Sequence, residues 1–336
     1  MYLPVIALIQ AQNGLITYRQ LVDAGLDING IERLRRGGVL LKLRRGVYVD
    51  SDTWSSLDLY RGQPMLRMRA AQHSLTSQNY AFSHDSSSIA LDMGAPSPRD
   101  ALTHITRTKV HGDAVRAGIK HHLAPYRLTD LTTLDGLTIL GPARTALDMT
   151  REHGRAYGLA ACDAALRRGV SRAELSDVLE WMASWPHSRC LRWCVEHCDA
   201  DADTYLESLV RDFVLELGIG RPVLQFGLSD GATTAYVDMI VRRHFFEADG
   251  LLKYDVDNPS EEDPRVVLVK EKRRTDFLTG FKLGSSRLTM FDLSAGRQAA
   301  LARVAREYAD TCTRFGMQTD DLAPYRVARR QPHRAS

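Results

Sequence analysis

The sequence is short of the features that assign a protein quickly, and each shortage excludes something. No stretch approaches the roughly 20 consecutive apolar residues of a membrane-spanning helix, because the run Val5–Ile9 is broken by Gln10, Gln12 and Asn13. The start also lacks the charged segment and cleavage site of a secretory signal, so no membrane or export step is expected. There are only five cysteines, an odd number that argues against a disulfide framework and for a reduced, cytoplasmic protein. Charge of one sign is not in excess: 44 Lys and Arg stand against 41 Asp and Glu, for a formal +3. That balance excludes a polycation of the histone kind, and any nucleic-acid binding must come from a local patch. Gly136 and Gly141 belong to no phosphate-cradling loop, and no dinucleotide fingerprint is present.

At roughly 100–200 residues per domain, 336 residues ask for two or three cores. The expected class is α+β in three parts: a winged helix-turn-helix over 1–52, a mixed α/β middle domain over 53–200, and an α/β domain over 201–324. A basic tail over 325–336, with Arg326, Arg329, Arg330 and Arg334 and little that is apolar, reads as disordered.

The first fifty residues carry the densest local signals. Pro4–Ala11 predicts a helix stopped by Gly14, and Leu15-Ile16 a short strand. Thr17 and Gln20 have capping-box spacing, which starts a second helix at Tyr18; Gly25 ends it. Asp27 caps a third helix whose Ile28, Ile31 and Leu34 face inward and whose Arg33, Arg35 and Arg36 face solvent. Val39–Leu43 and Val47–Val49 then form a hairpin with Arg44-Arg45-Gly46 at its tip. Residues 31–46 hold six basic residues against one acid, Glu32. The third helix is narrow enough for a major groove, and Lys42, Arg44 and Arg45 on the hairpin can displace counterions from phosphates. The rival reading is a solvated face on a protein-docking domain.

This stretch, from Gly14-Leu15-Ile16-Thr17 to Leu26, then Arg35–Gly38 and Arg44–Val49, resembles the N-terminal domain of AbiEi-type antitoxins of type IV toxin–antitoxin systems. A weaker likeness continues through Phe82–Ser88 and Gly141–Asp148. The resemblance implies operator DNA as a partner and raises the prospect of a cognate toxin.

In the last third, Tyr205–Leu217 reads as an amphipathic helix with Glu207 near its start, Ala235–Val241 as a strand, and Phe245–Asp249 as a second strand. Period two puts Glu247 and Asp249 on one face, and the short turn brings Asp238 beside them. Crowded carboxylates repel unless a cation neutralises them. The arrangement resembles PD-(D/E)XK nucleases, and Glu247–Gly250 with the charged segment Glu271–Leu278 and the strand Arg287–Phe291 resembles their very-short-patch-repair-like branch. That resemblance implies a restriction-endonuclease-like fold. It makes Asp238 and Glu247 the ligands of Mg²⁺, with the Ala248 carbonyl a third, and Glu207 a helix-borne carboxylate behind them. The metal would polarise the scissile phosphate and activate water. Asp249 stands where the motif has lysine, Lys253 is the substitute cation, and Arg274 would contact phosphate. The five acids of the segment 255–263 work against DNA if they flank that groove.

Other constellations read as structural. Cys190, Cys194 and Cys198 are four apart on one helix face with Leu191 and Val195, which makes a core stripe rather than a zinc knuckle. Ser83-His84-Asp85 is contiguous, and adjacent side chains diverge, so no hydrolytic triad is expected there. His121-His122 reads as surface or strand end, and Arg167, Arg168 and Arg172 as a solvated face. The leading expectation is a DNA-binding protein with a Mg²⁺-dependent endonuclease domain acting in phage defence or a toxin–antitoxin setting. Its rival is a non-catalytic AbiEi-like antitoxin that represses its own operon.

Overall fold

The computed structural model describes residues 3–12, 14–77, 79–97, 102–109, 114–249 and 264–329. Two compact units, 1–195 and 196–336, divide the chain. The winged helix and the middle domain expected on either side of residue 52 both belong to the first unit.

The first unit opens with α1 (Leu3–Ala11), β1 (Leu15–Thr17), α2 (Tyr18–Asp23), α3 (Ile28–Arg36), β2 (Leu40–Arg44) and β3 (Val47–Asp50). The strands form a sheet in the order β1-β3-β2. Val5, Ile9, Ile16, Leu21, Ile31, Leu40 and Tyr48 make the core between this sheet and the three helices. The caps form as expected. The Gln20 amide donates to Thr17 Oγ1 while the Gln20 side chain accepts from the Thr17 amide, and the Gly30 amide donates to Asp27 Oδ1 at 2.7 Å. Ile28 departs from expectation at 66% exposed, because Leu26 packs into the core ahead of the helix and fills that end.

The sheet's other face is not solvent. α4 (Ser51–Ser56) and α5 (Gly62–Ser74) follow, and Leu66 and Ala70 of α5 pack with Leu15, Val47 and Val49, supported by Trp54 and Leu57. Both faces of the three-stranded sheet are thus covered, one by α1–α3 and the other by α4 and α5.

The same α5 covers the next layer. β4 (Ala81–Phe82), α6 (His84–Ala90), β5 (Thr103–Arg107), β6 (Ala114–Arg116), β7 (Ile119–Leu123), β8 (Leu131–Leu134) and β9 (Leu137–Leu140) come next, then α7 (Pro142–His153), α8 (Arg155–Arg167), α9 (Arg172–Trp181) and α10 (Ser188–His197). The strands build a six-stranded sheet in the order β6-β7-β5-β4-β9-β8, with β5 parallel to β7. Met68 and Ala71 of α5 meet Phe82, Ile105, Ile119, Leu137 and Ile139 in an apolar core. Alternation turns His104, Thr106, Lys120 and His122 to the opposite face. On α10, Leu191, Cys194 and Val195 are buried together; the hydrogen bond with Cys190, and then burial, push the Cys194 thiol well up.

The second unit contains α11 (Tyr205–Glu216), β10 (Val223–Ser229), β11 (Thr234–Val241), β12 (His244–Ala248), α12 (Pro264–Gly280), β13 (Gly284–Leu288), α13 (Met290–Leu293), α14 (Arg297–Phe315) and β14 (Arg326–Val327). Its sheet runs β13-β12-β11-β10-β14, antiparallel except for β12 beside β13. The tail expected to be disordered from 325 is therefore partly strand. Arg326 and Val327 pair with Leu228 and Gly227, since Gly227 leaves room for Val327 and the Arg326 guanidinium sits 5.2 Å from the Phe226 ring centre. Residues 330–336 lie outside the described residues.

Candidate nucleic-acid interface

α3 owes its position to Ile31 and Leu34, which anchor it to the core. The opposite side carries Asn29, Arg33 and Arg36, all exposed. The hairpin's turn is held to the start of α2, where the Tyr18 amide donates to the Gly46 carbonyl at 2.8 Å; Gly46 supplies the turn's positive φ of 73°, which a side chain would resist.

The six expected cations divide by partner. Arg35 is paired in a fork with Glu32, from Nε at 2.9 Å and from Nη2 at 2.5 Å. Arg36 approaches the same carboxylate only at 3.6 Å, with its side chain 77% exposed. Arg44 is a correction: Nε donates to Ser74 Oγ at 3.1 Å and Nη2 to the Ala117 carbonyl at 2.7 Å, and partial burial lowers its pKa. It holds the wing to the middle sheet instead of facing phosphate. Lys42 and Arg45 are exposed, and among the described residues neither they nor Arg33 has an ion-pair partner. Arg33 and Arg36 on α3, with Lys42 and Arg45 on the wing, thus remain as exposed cations.

In the second unit Asp238, Glu247 and Glu207 come near one another. Met239 pairs with Phe246, which sets Asp238 opposite Glu247. The Asp238 Oδ2 accepts from the Ala248 amide at 2.8 Å. Glu207 accepts from the Asp203 amide, from Thr204 Oγ1 and from Gln225 Nε2 at 2.9–3.0 Å. Burial, reinforced by the nearby Asp238 charge, raises its pKa to about 7. Glu247 is held on both oxygens: Arg274 of α12 donates to Oε1, and Arg287 Nε lies 3.3 Å from Oε2. Arg274, expected on phosphate, is occupied with Glu247 and the Tyr236 carbonyl, and the charge of Glu271 adds to its hold. Asp249 ends the ribbon half-buried, its amide donating to the Leu288 carbonyl at 2.9 Å. Lys253 and the segment 255–263 lie outside the described residues. A Mg²⁺ ion wants several oxygens to itself in octahedral array. With Glu247 committed to two guanidinium groups, the carboxylates as placed do not fit one, and no step is derived through it.

A group that the sequence did not bring together lies in the first unit. His104 and His122, on the polar face of β5 and β7, meet His84 from α6, and all three are buried. The partial signal was the i, i+2 spacing of Lys120 and His122 opposite His104 in parallel register, which only the strand pairing reveals.

Residues 4–49 match the family described as "Transcriptional regulator, AbiEi antitoxin". No curated protein matches the chain. The N-terminal segment is thus AbiEi-like, and it is the segment that carries the exposed cations of α3 and the wing.

Proposed function

We propose that the chain is a DNA-binding transcriptional regulator of the AbiEi antitoxin type, which recognises double-stranded operator DNA through α3 and clamps the flanking backbone with its wing. The observation that carries this is the set of four exposed cations, Arg33 and Arg36 on α3 and Lys42 and Arg45 on the hairpin that follows it, none of them held in a close ion pair among the described residues. The helix supplies groove contacts and the wing supplies counterion release. The similarity of residues 4–49 to an antitoxin regulator supports the same reading and makes repression of its own operon, with a cognate toxin as partner, the natural setting. The carboxylates of the second unit support a structural role, since guanidinium groups already neutralise Glu247.

The test is binding of the purified chain to DNA from upstream of its own gene, with footprinting and a salt titration. A specific footprint whose affinity falls with salt, and whose salt dependence flattens in an Arg33→Glu, Arg36→Glu, Arg45→Glu variant, is expected. Unchanged DNA retention in that variant would overturn the reading and leave the winged helix as a protein-docking face.

A further inference from the structure

We propose that His84, His104 and His122 form a binding site for a single Zn²⁺ ion, or a first-row transition metal of the same ligand preference, inside the middle sheet of the first unit. The inference does not depend on the DNA-binding reading. Imidazole nitrogen is the donor such ions prefer, and the three imidazoles that meet here are all buried.

The donor atoms of the three rings all lie within 4.8 Å of one another. His122 Nε2 is 3.1 Å from His104 Nδ1, and the rings' centres are 5.1 Å apart and tilted by 34°. Bonds of about 2.0–2.1 Å in a tetrahedron set neighbouring nitrogens about 3.4 Å apart, so this pair already has ligand spacing. The carboxylate of Asp85 sits 3.4 Å from His104 Nε2 and 2.9 Å from His153 Nε2. A neutral imidazole has one N–H; with it on Nε2 toward Asp85, the lone pair of Nδ1 points to the centre of the cluster. A carboxylate that fixes the tautomer and orientation of a ligating histidine is the usual support of such sites.

His84 supplies the third nitrogen by a rotation. Its ring is stacked on His122 at 3.7 Å and 15°, so the two sets of lone pairs run side by side. Coordination would need that ring to turn out of the stack, closing the farthest donor by up to about 1.4 Å, with Nδ1 now 3.0 Å from Ser83 Oγ. His84 occupies a left-handed backbone conformation with φ 48° and opens α6 with its side chain buried. Charges of both signs surround the site. Asp85, Asp148 and Glu152 face the rings from α6 and α7, against Lys120 of β7 and Arg144 and Arg151 of α7.

The test uses the full chain, stripped with chelator and titrated with Zn²⁺ and, as a spectroscopic probe, Co²⁺. The expected result is one equivalent bound and a tetrahedral Co²⁺ ligand-field spectrum without a thiolate charge-transfer band. His104→Asn and His122→Asn should abolish it, and Asp85→Asn, which keeps all three imidazoles, should weaken it by about 10- to 100-fold. Should the histidine variants fail to fold, the wild-type spectrum and the Asp85 variant still decide. No uptake, a thiolate band lost with Cys194→Ser, or affinity indifferent to Asp85→Asn would each overturn the assignment.

Discussion

Arg44, at the tip of the wing, donates from Nη2 to the carbonyl oxygen of Ala117 at 2.7 Å. This contact takes one cation of the basic hairpin out of reach of phosphate and uses it to tie the wing to the β6–β7 turn, with Ser74 Oγ as a second acceptor. Arg44→Ala should therefore lower the stability of the first unit by about 1–2 kcal/mol, the worth of hydrogen bonds from a charged donor. The slope of log affinity for DNA against log salt should stay as it is. Arg45→Ala should do the reverse: unchanged melting and a slope smaller by about 0.9, one phosphate contact. Thermal melts and fluorescence anisotropy over a salt series read both. A reduced slope in the Arg44 variant would show that its side chain leaves Ala117 to bind DNA.

Gly14 and Gly25 both have positive φ, 87° and 90°, but they differ in what surrounds them. A Cβ on Gly14 would lie 2.5 Å from Thr53 Cγ2, whereas nothing lies within 4 Å of one on Gly25. Gly25→Ala should cost only the left-handed backbone penalty, about 1–2 kcal/mol. Gly14→Ala adds overpacking between β1 and α4 and should cost about 3–4 kcal/mol. Chemical denaturation of the two variants side by side measures the difference, and equal losses would show that Thr53 simply moves aside.

The sequence was most legible where structure is written locally. Thr17 with Gln20, Asp27 with Gly30, and the glycines at 14, 25 and 46 fix caps and turns within a few residues of themselves, and the α2–α3–hairpin order could be read from them. Ile28 misled because Leu26, outside the helical period, took its place in the core. Arg44 misled because its acceptor is Ala117, 73 residues away. In the second unit, strand alternation and a short turn place Asp238 against Glu247, which period two anticipates. That Arg274 and Arg287 would close on Glu247 depended on how α12 and β13 pack on that ribbon, and no spacing encodes it. The histidine cluster was hidden for the same reason: His84, His104 and His122 meet only once β5 and β7 pair in parallel and α6 lies across them.

The clasp on Glu247 makes a prediction that separates a structural cluster from a vacant metal site. Arg274→Ala leaves a carboxylate 8% exposed with Arg287 as its remaining cation, and should destabilise the second unit by about 2 kcal/mol, below the range for a fully buried pair because Arg274 is itself 29% exposed. Pairing it with Glu247→Met removes the orphaned charge and should recover most of that loss. Urea melts of the single and double variants test this. A single variant as stable as the wild type would mean the clasp contributes nothing, and Glu247 would be open to another cation after all.

Glu207 and His244 are titrating groups of the same unit with opposite signs. Burial raises Glu207 from an ordinary 4.5 to about 7. The folded chain therefore keeps a proton that the unfolded chain has released, and the stability this confers is full below pH 4.5 and lost as pH rises through 7. Burial lowers His244, clasped by Thr311 and Ser286, from 6.5 to about 4. Its contribution is full above pH 6.5 and lost as pH falls through 4. Between pH 4.5 and 6.5 the two slopes oppose each other, each about 1.4 kcal/mol per pH unit. Glu207→Gln deletes one of them, so the variant's second unit should become steadily more stable from pH 4.5 to 6.5. It should gain on the wild type by up to about 3 kcal/mol at pH 8 and by nothing from this source at pH 4.5. Urea melts at pH 4.5, 6 and 8 read the slope directly. A stability difference from wild type that is the same at all three values would mean that Glu207 is ionised in the folded chain, with its three hydrogen-bond donors outweighing its burial.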